Sequence, residues 1–68
     1  MKEHEKISAN DVKVNDRVRF YFDERKIGYA DCTVVDVSTV QTEGFCYIVL
    51  DGETARRAMD VSLLYKPD

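Results

Sequence analysis

The sequence contains a series of short apolar stretches, rich in β-branched and aromatic residues, that are separated by turn signals. In the first of them, from Arg17 to Phe22, apolar and polar side chains alternate with a period of two. Such alternation is typical of a β-strand with one buried face. The side chains predicted to face the core are Val18, Phe20 and Phe22, and those predicted to face outward are Arg17, Arg19 and Tyr21.

Two further strands are predicted downstream. The second runs from about Ala30 to Ser38 and is rich in the β-branched residues that favour strands. Its alternation slips between Val34 and Val37, so a bend or bulge is needed for both side chains to face inward. The third strand, Phe45–Leu50, is apolar on both faces and follows a polar connection over residues 39–44.

The dipeptide Asp51-Gly52 predicts a tight hairpin after the third strand, through a type I′ turn with positive φ at both central positions. The segment over residues 54–59 also fits a helical stripe. We favour a return strand there, because the third strand would otherwise lack a partner. A short helical turn over residues 61–64 and a last short strand at Tyr65-Lys66 follow, and Pro67 ends the pairing.

Turn signals fill the remaining segments. Residues 8–11 predict a turn or a single helical turn, and Asn15-Asp16 predicts a second turn. The charged loop over residues 23–26 leads to Gly28, which is predicted to adopt a backbone conformation that other residues avoid. Residues 1–6 are mostly charged and lack an apolar anchor, so we expect a mobile tail followed by one domain over residues 7–68.

The chain has 68 residues, which is enough for one small domain. Five short strands joined by polar turns predict a mostly β fold, a small and strongly bent barrel with a short helical turn before the last strand. Thirteen acidic residues outnumber ten basic ones, which argues against a general polyanion-binding protein. The longest charge-free apolar run, Phe45–Leu50, is far too short for a bilayer span. The N-terminus lacks the apolar segment of a signal peptide, so we expect a cytoplasmic protein without membrane contact.

Four segments of the chain together resemble a known class of small barrels. They are Val14–Phe20, Thr33–Val37, Tyr47–Gly52 and Val61–Leu64. Their order is similar to that of SH3-like barrels of the Tudor-like and KOW-like class, although Asn15 and Cys32 stand where glycine is usual. The resemblance implies a five-stranded SH3-like barrel. For Tudor-like members it also implies an aromatic cage, and the aromatic residues available for one are Tyr21, Tyr29, Phe45 and Tyr47.

One enzyme family shares this layout. Thr42-Glu43-Gly44-Phe45 is similar to the Pro-Glu-Gly-Tyr segment of type II dihydrofolate reductase, which is also an SH3-like barrel. Where that family has its substrate-binding Val-Gln-Ile-Tyr, this chain has Arg56-Arg57-Ala58-Met59. The resemblance therefore supports the fold and not the activity.

The sequence lacks the residue patterns that are typical of catalytic and metal sites. The three glycines are isolated rather than grouped in a phosphate-binding loop, and the only histidine, His4, lies in the predicted tail. The close carboxylates Asp23-Glu24 and Asp51/Glu53 fall in predicted turns. We therefore predict a non-enzymatic protein that needs no cofactor or metal.

The two cysteines are predicted to be free thiols on neighbouring strands. Their spacing matches no zinc pattern. In a hairpin around residues 39–44, Cys32 lies opposite Leu50 and Cys46 lies opposite Asp36, too far apart along the ladder for a disulfide.

The residues predicted to bind a partner are Arg17, Arg19, Tyr21, Arg56 and Arg57. Arginine and tyrosine are enriched at interface hot spots. Four positive charges kept together on an acidic chain predict a segregated basic surface, with the acidic residues on turns. The alternative is a solvated strand face whose arginines pair across strands with Asp36 or Glu53.

Three functions are consistent with these patterns. The leading one is a small binding or adaptor module that recognises another protein, or a second copy of itself. The second is a nucleic-acid-associated accessory protein, which the acidic charge disfavours. The third is a small oligomeric reductase-like enzyme, which the missing motif disfavours.

Overall fold

A computed structural model describes residues 5–67 of the chain, and the fold is mostly β. The strands are β1 (Arg17–Tyr21), β2 (Tyr29–Asp36), β3 (Phe45–Leu50), β4 (Arg57–Asp60) and β5 (Leu64–Tyr65). A four-residue helix, α1 (Val40–Glu43), joins β2 to β3, and a 3₁₀ turn (Val61–Leu63) precedes β5. The predicted mostly β fold, its five strands and the helical turn before the last strand are confirmed.

The five strands form one antiparallel sheet in the order β4-β3-β2-β1-β5, curled into a half-barrel. The first four strands are consecutive neighbours, and β5 returns to pair with β1 through Arg19 opposite Tyr65 and Phe20 opposite Leu64. The predicted tail of residues 1–6 lies partly outside the described residues. Within it, Lys6 forms an isolated bridge with Tyr65, and the Lys66 N–H donates to the Glu5 carbonyl at 2.7 Å.

The predicted bulge in β2 is confirmed, and it changes the pairing of one cysteine. The β2–β3 register shifts between Val34 and Asp36. Cys32 lies opposite Leu50 as predicted, whereas Asp36 lies opposite Tyr47 rather than opposite Cys46. The prediction for Cys46 was wrong because a bulge adds one residue to β2 and moves every later pair by one.

Both cysteines are free and fully buried, as predicted for the free thiols. Burial raises the pKa of the Cys32 thiol to about 11 and also raises the pKa of Cys46. Both thiols are therefore protonated at neutral pH, and they pack as small apolar side chains in the core.

The connection between β3 and β4 is longer than the sequence predicted. The Glu53 N–H donates to the Leu50 carbonyl at 3.0 Å, and Gly52 has φ of 84°. Asp51 is not among the residues with positive φ, so the turn is of the type II kind rather than type I′. β4 is a strand, as we favoured, but it begins at Arg57 instead of at Thr54.

Replacing Gly52 with alanine is expected to lower the free energy of unfolding by about 1 kcal/mol. No atom lies within 4 Å of the position that a Cβ would take, so the loss comes from the left-handed backbone and not from a clash. Urea unfolding followed by circular dichroism measures it. Gly52→Asn is the matched control, because asparagine tolerates this conformation better than alanine does. Equal stability of Gly52→Ala and the wild type would contradict the turn described here.

The core lies on the inner side of the half-barrel. Its fully buried side chains are Val18, Cys32, Val34, Cys46, Ile48 and Leu64. Phe20 is half-buried and packs against them. Phe22, predicted to face the core, is 63% exposed. β1 ends at Tyr21, so Phe22 continues the alternation only beyond the end of the strand.

The loop between β1 and β2 is organised by Asp23. Its carboxylate accepts hydrogen bonds from the N–H groups of Ile27 and Gly28, both at 3.2 Å, and these bonds lower the pKa of Asp23. The left-handed residue of this loop is Lys26, with φ of 59°, so the special conformation predicted for Gly28 was wrong. The N–H bonds to Asp23 stabilise the tight bend at Lys26.

Candidate binding site

The outer face of the sheet, which is the side away from the core, carries four of the five residues predicted to bind a partner, and three of these four lie on β1. Arg17, Arg19 and Tyr21 follow one another at alternate positions of β1. Their partners on β2 are Thr33, Asp31 and Tyr29, respectively. The sequence therefore placed these three side chains correctly on one face.

Arg19, which the sequence predicted to be exposed on that face, is mostly buried and is paired with a carboxylate. Its side chain is 10% exposed, and its Nε donates to Asp31 Oδ1 at 2.7 Å while Nη2 donates to Oδ2 at 3.3 Å. The guanidinium also stacks on the ring of Tyr29, with Cζ 3.8 Å from the centroid. The hydrogen bonds to Asp31 raise the pKa of Arg19 above its usual value. Arg19 is thus a structural residue that ties β1 to β2.

Arg17 is more exposed and is also paired. Its two terminal nitrogens donate to the two oxygens of Asp51, each at 2.6 Å, and Nη1 also donates to Thr33 Oγ1 at 2.9 Å. The side chains of Arg17 and Asp51 are 48% and 55% exposed. The hydrogen bonds from Arg17 lower the pKa of Asp51.

The other two arginines point to opposite sides of the sheet. Arg56 approaches Asp36 at 3.9 Å, whereas Arg57 lies opposite the buried Ile48 and contacts Glu53 at 3.3 Å. All four predicted arginines therefore lie within ion-pair distance of a carboxylate. The segregated basic surface predicted from the sequence was wrong, because Asp31 and Asp36 are strand residues interleaved with the arginines.

A groove that the sequence did not indicate lies between the end of β1 and the segment around β5. We call it the aromatic groove, and its volume is about 290 Å³. Its lining residues are Lys6, Phe20, Tyr21, Phe22, Asp23, Glu24, Lys26, Ser62, Leu63 and Tyr65. Phe22 is 63% exposed and Leu63 is 49% exposed, so the groove presents apolar surface to solvent. Tyr21 is the one residue that belongs both to this groove and to the site predicted from the sequence.

Two lysines flank the ring of Tyr65 in the aromatic groove. The Lys26 ammonium lies 5.3 Å from the ring centroid and the Lys6 ammonium lies 5.9 Å from it. Tyr65 in turn packs edge-to-face against Tyr21, with centroids 5.1 Å apart. Within residues 5–67, no carboxylate lies within 4.0 Å of either ammonium. The groove therefore combines an apolar floor with two positive charges that have no acidic partner in this part of the chain.

The aromatic residues considered for a Tudor-like cage form two contacts. Tyr21 packs edge-to-face on Tyr29 at 6.0 Å, and Phe45 packs edge-to-face on Tyr47 at 5.6 Å. One face of Tyr29 is taken by Arg19 of the chain itself. In the described part of the chain, no three histidine, cysteine or acidic side chains come together as metal ligands. No helix within residues 5–67 has the length and apolar character needed to cross a membrane.

No known family model matches this chain, and neither the curated proteins nor the solved structures include a significant match to it.

Proposed function

We propose that the chain is a small non-enzymatic binding module that holds an extended segment of another protein in the aromatic groove. The observation that carries the proposal is the exposure of Phe22 and Leu63 in a concave site. Exposed apolar side chains grouped in a groove with polar edges are typical of a surface that is covered by a partner.

The charges of the groove indicate what the partner segment carries. Asp23 is engaged by the backbone of its own loop, so Glu24 is the remaining acidic side chain of the groove. The ammonium groups of Lys6 and Lys26 outweigh it. A segment that places an apolar side chain next to an aspartate or glutamate complements this arrangement, because the carboxylate would meet the lysines beside Tyr65.

The arginines proposed from the sequence contribute less to this function. Binding through Arg17 or Arg19 would require each guanidinium to leave a two-point hydrogen-bonded pair with an aspartate. Binding in the aromatic groove does not require an ion pair of the chain to be broken, and Tyr21 lines this groove directly.

We also propose that the fold is an SH3-like barrel and that the protein is located in the cytoplasm. A sheet whose last strand returns to pair with the first is compatible with the SH3-like barrel that the sequence resembles. Two buried free thiols fit the reducing environment of the cytoplasm.

Selection from a phage-displayed library of random peptides tests the proposal. The selected peptides are expected to carry an apolar residue next to an acidic one. A selected peptide should bind the double variant Phe22→Ser/Leu63→Ser at least about tenfold more weakly than the wild type. Lys26→Glu should also weaken binding, because it removes one of the two positive charges.

The matched control is Ile27→Ser. Ile27 is 70% exposed but does not line the groove, so this variant should bind the peptide like the wild type. Equal binding by the double variant would contradict the proposal. Failure to select any peptide, combined with salt-sensitive binding of an oligonucleotide, would also contradict it and would favour the nucleic-acid alternative.

A further inference from the structure

The end of the sheet opposite to the aromatic groove has an open edge, whose role does not depend on the proposed function. β4 is an edge strand, since it pairs with β3 and no other strand of the described chain covers its second side. Its first two residues are exposed. An uncovered edge presents unpaired N–H and C=O groups that can pair with another extended strand.

The hydrogen bonds show which residues of β4 point to the open edge. The Val61 N–H donates to the Gly44 carbonyl at 3.1 Å and so points toward β3. Because the direction of the backbone groups alternates along an extended strand, Asp60 and Ala58 direct theirs away from β3. The pairing of β3 with β2 supports this assignment. The Asp51 N–H donates to the Asp31 carbonyl on β2, so the same alternation directs the backbone groups of Ile48 away from β2 and toward β4.

The same residues also lie on the outer face. Ala58 lies opposite Tyr47, and Tyr47 alternates with the buried Cys46 and Ile48. Arg56 is on this face as well, because its guanidinium approaches Asp36, which also lies opposite Tyr47. Arg56, Ala58 and Asp60 thus form one row along the outer face of the edge.

Symmetry restricts how two such edges can pair. A two-fold axis that joins two antiparallel edge strands is perpendicular to the sheet, so the outer face of one copy continues into the outer face of the other. Residues of the row must therefore lie opposite residues of the same row. Three registers meet this requirement and keep most of β4 paired. They place Ala58 opposite the partner's Ala58, the partner's Asp60 or the partner's Arg56.

Charge complementarity selects one of them. With Ala58 opposite the partner's Ala58, Arg56 lies opposite the partner's Asp60 at both ends of the ladder. With Ala58 opposite the partner's Asp60, no opposite charges face each other, and the ladder runs into the 3₁₀ turn at Val61. With Ala58 opposite the partner's Arg56, Arg57 faces the partner's Arg57, which is repulsive.

We propose that the protein forms a symmetric dimer in which the β4 edges of two copies pair around Ala58, with Arg56 of each copy opposite the partner's Asp60. The two half-barrels then share one continuous ten-stranded sheet, within the range seen for open sheets. The small Ala58 side chain at the axis offers no steric obstacle. An edge this short makes a small interface, so the association is weak and reversible.

Sedimentation velocity over protein concentrations from about 10 μM to 1 mM, a range suited to a small interface, tests the dimer. The wild type should shift from monomer to dimer across this range. Arg56→Asp and Asp60→Arg each place like charges opposite one another at both ends, so each variant alone should associate at least about tenfold more weakly. An equimolar mixture of the two variants restores both opposite-charge pairs and should associate like the wild type.

Arg57→Asp is the matched control. It makes the same charge change one residue away, but Arg57 faces the partner's Met59 on the inner side, so association should change little. Asp60 also accepts a hydrogen bond from the Ser62 N–H at 2.9 Å, so thermal unfolding must show that Asp60→Arg is folded. If it is not, the comparison of Arg56→Asp with Arg57→Asp decides alone. A wild type that stays monomeric at 1 mM, or equal weakening by these two variants, would overturn the proposal.

Discussion

Truncation of Ile48 to alanine is expected to lower the free energy of unfolding by about 3 kcal/mol. Ile48 is fully buried on β3, opposite Val34 of β2, and is one of the largest of the fully buried side chains. A chain of this length has a total stability of only about 3–10 kcal/mol, so the variant should lose between about a third and all of its stability. Urea unfolding at several temperatures, followed by circular dichroism, measures the loss.

Val49→Ala is the control for this prediction. Val49 is the next residue of the same strand, half-buried on the outer face opposite Thr33. Its truncation removes apolar surface of a similar kind without opening a cavity, so we expect a loss of about 1 kcal/mol or less. If Val49→Ala were the more damaging change, the core would lie on the other side of the sheet from where we place it.

Replacement of Asp31 by alanine is expected to cost about 2 kcal/mol, because it leaves the guanidinium of Arg19 without its charged acceptor. The two side chains are only 10% and 27% exposed, so water cannot fully replace the lost hydrogen bonds. The corresponding change at Asp51 should cost less, since Arg17 and Asp51 are about half exposed and remain solvated when separated.

A double-mutant cycle isolates this interaction. In an Arg19→Met background, the Asp31→Ala substitution should be nearly neutral, because no buried charge remains to be compensated. Denaturant unfolding of the four proteins gives the coupling energy. The same loss in both backgrounds would show that Asp31 stabilises the fold by a route other than Arg19.

Local patterns predicted the strands well. The period-two alternation after Arg17 and the apolar run Phe45–Leu50 each gave the correct strand, the second with its bounds. The slip between Val34 and Val37 located the bulge, because the spacing of apolar residues records which face is buried. These features depend on neighbours along the chain, which a single sequence contains.

Several of the features that the sequence did not predict depend on residues that are distant in sequence. The Arg17–Asp51 pair joins residues 34 positions apart, and nothing near Arg17 indicates that acceptor. Phe22 continues the alternation of β1, yet it is exposed because the sheet ends before it. The aromatic groove is built from Lys6, the loop after β1 and the segment around Tyr65, so no local motif could reveal it.

We expect a selected peptide to bind in the aromatic groove, and amide proton–nitrogen correlation spectra of the protein, recorded while one such peptide is added, test this expectation. Titration should shift the amide signals of Phe22, Lys26 and Leu63, which belong to the aromatic groove, and leave those of Arg56 and Arg57 unchanged. Shifts confined to Arg17, Arg56 and Arg57, with the groove signals unmoved, would contradict it and would place binding on the arginines instead.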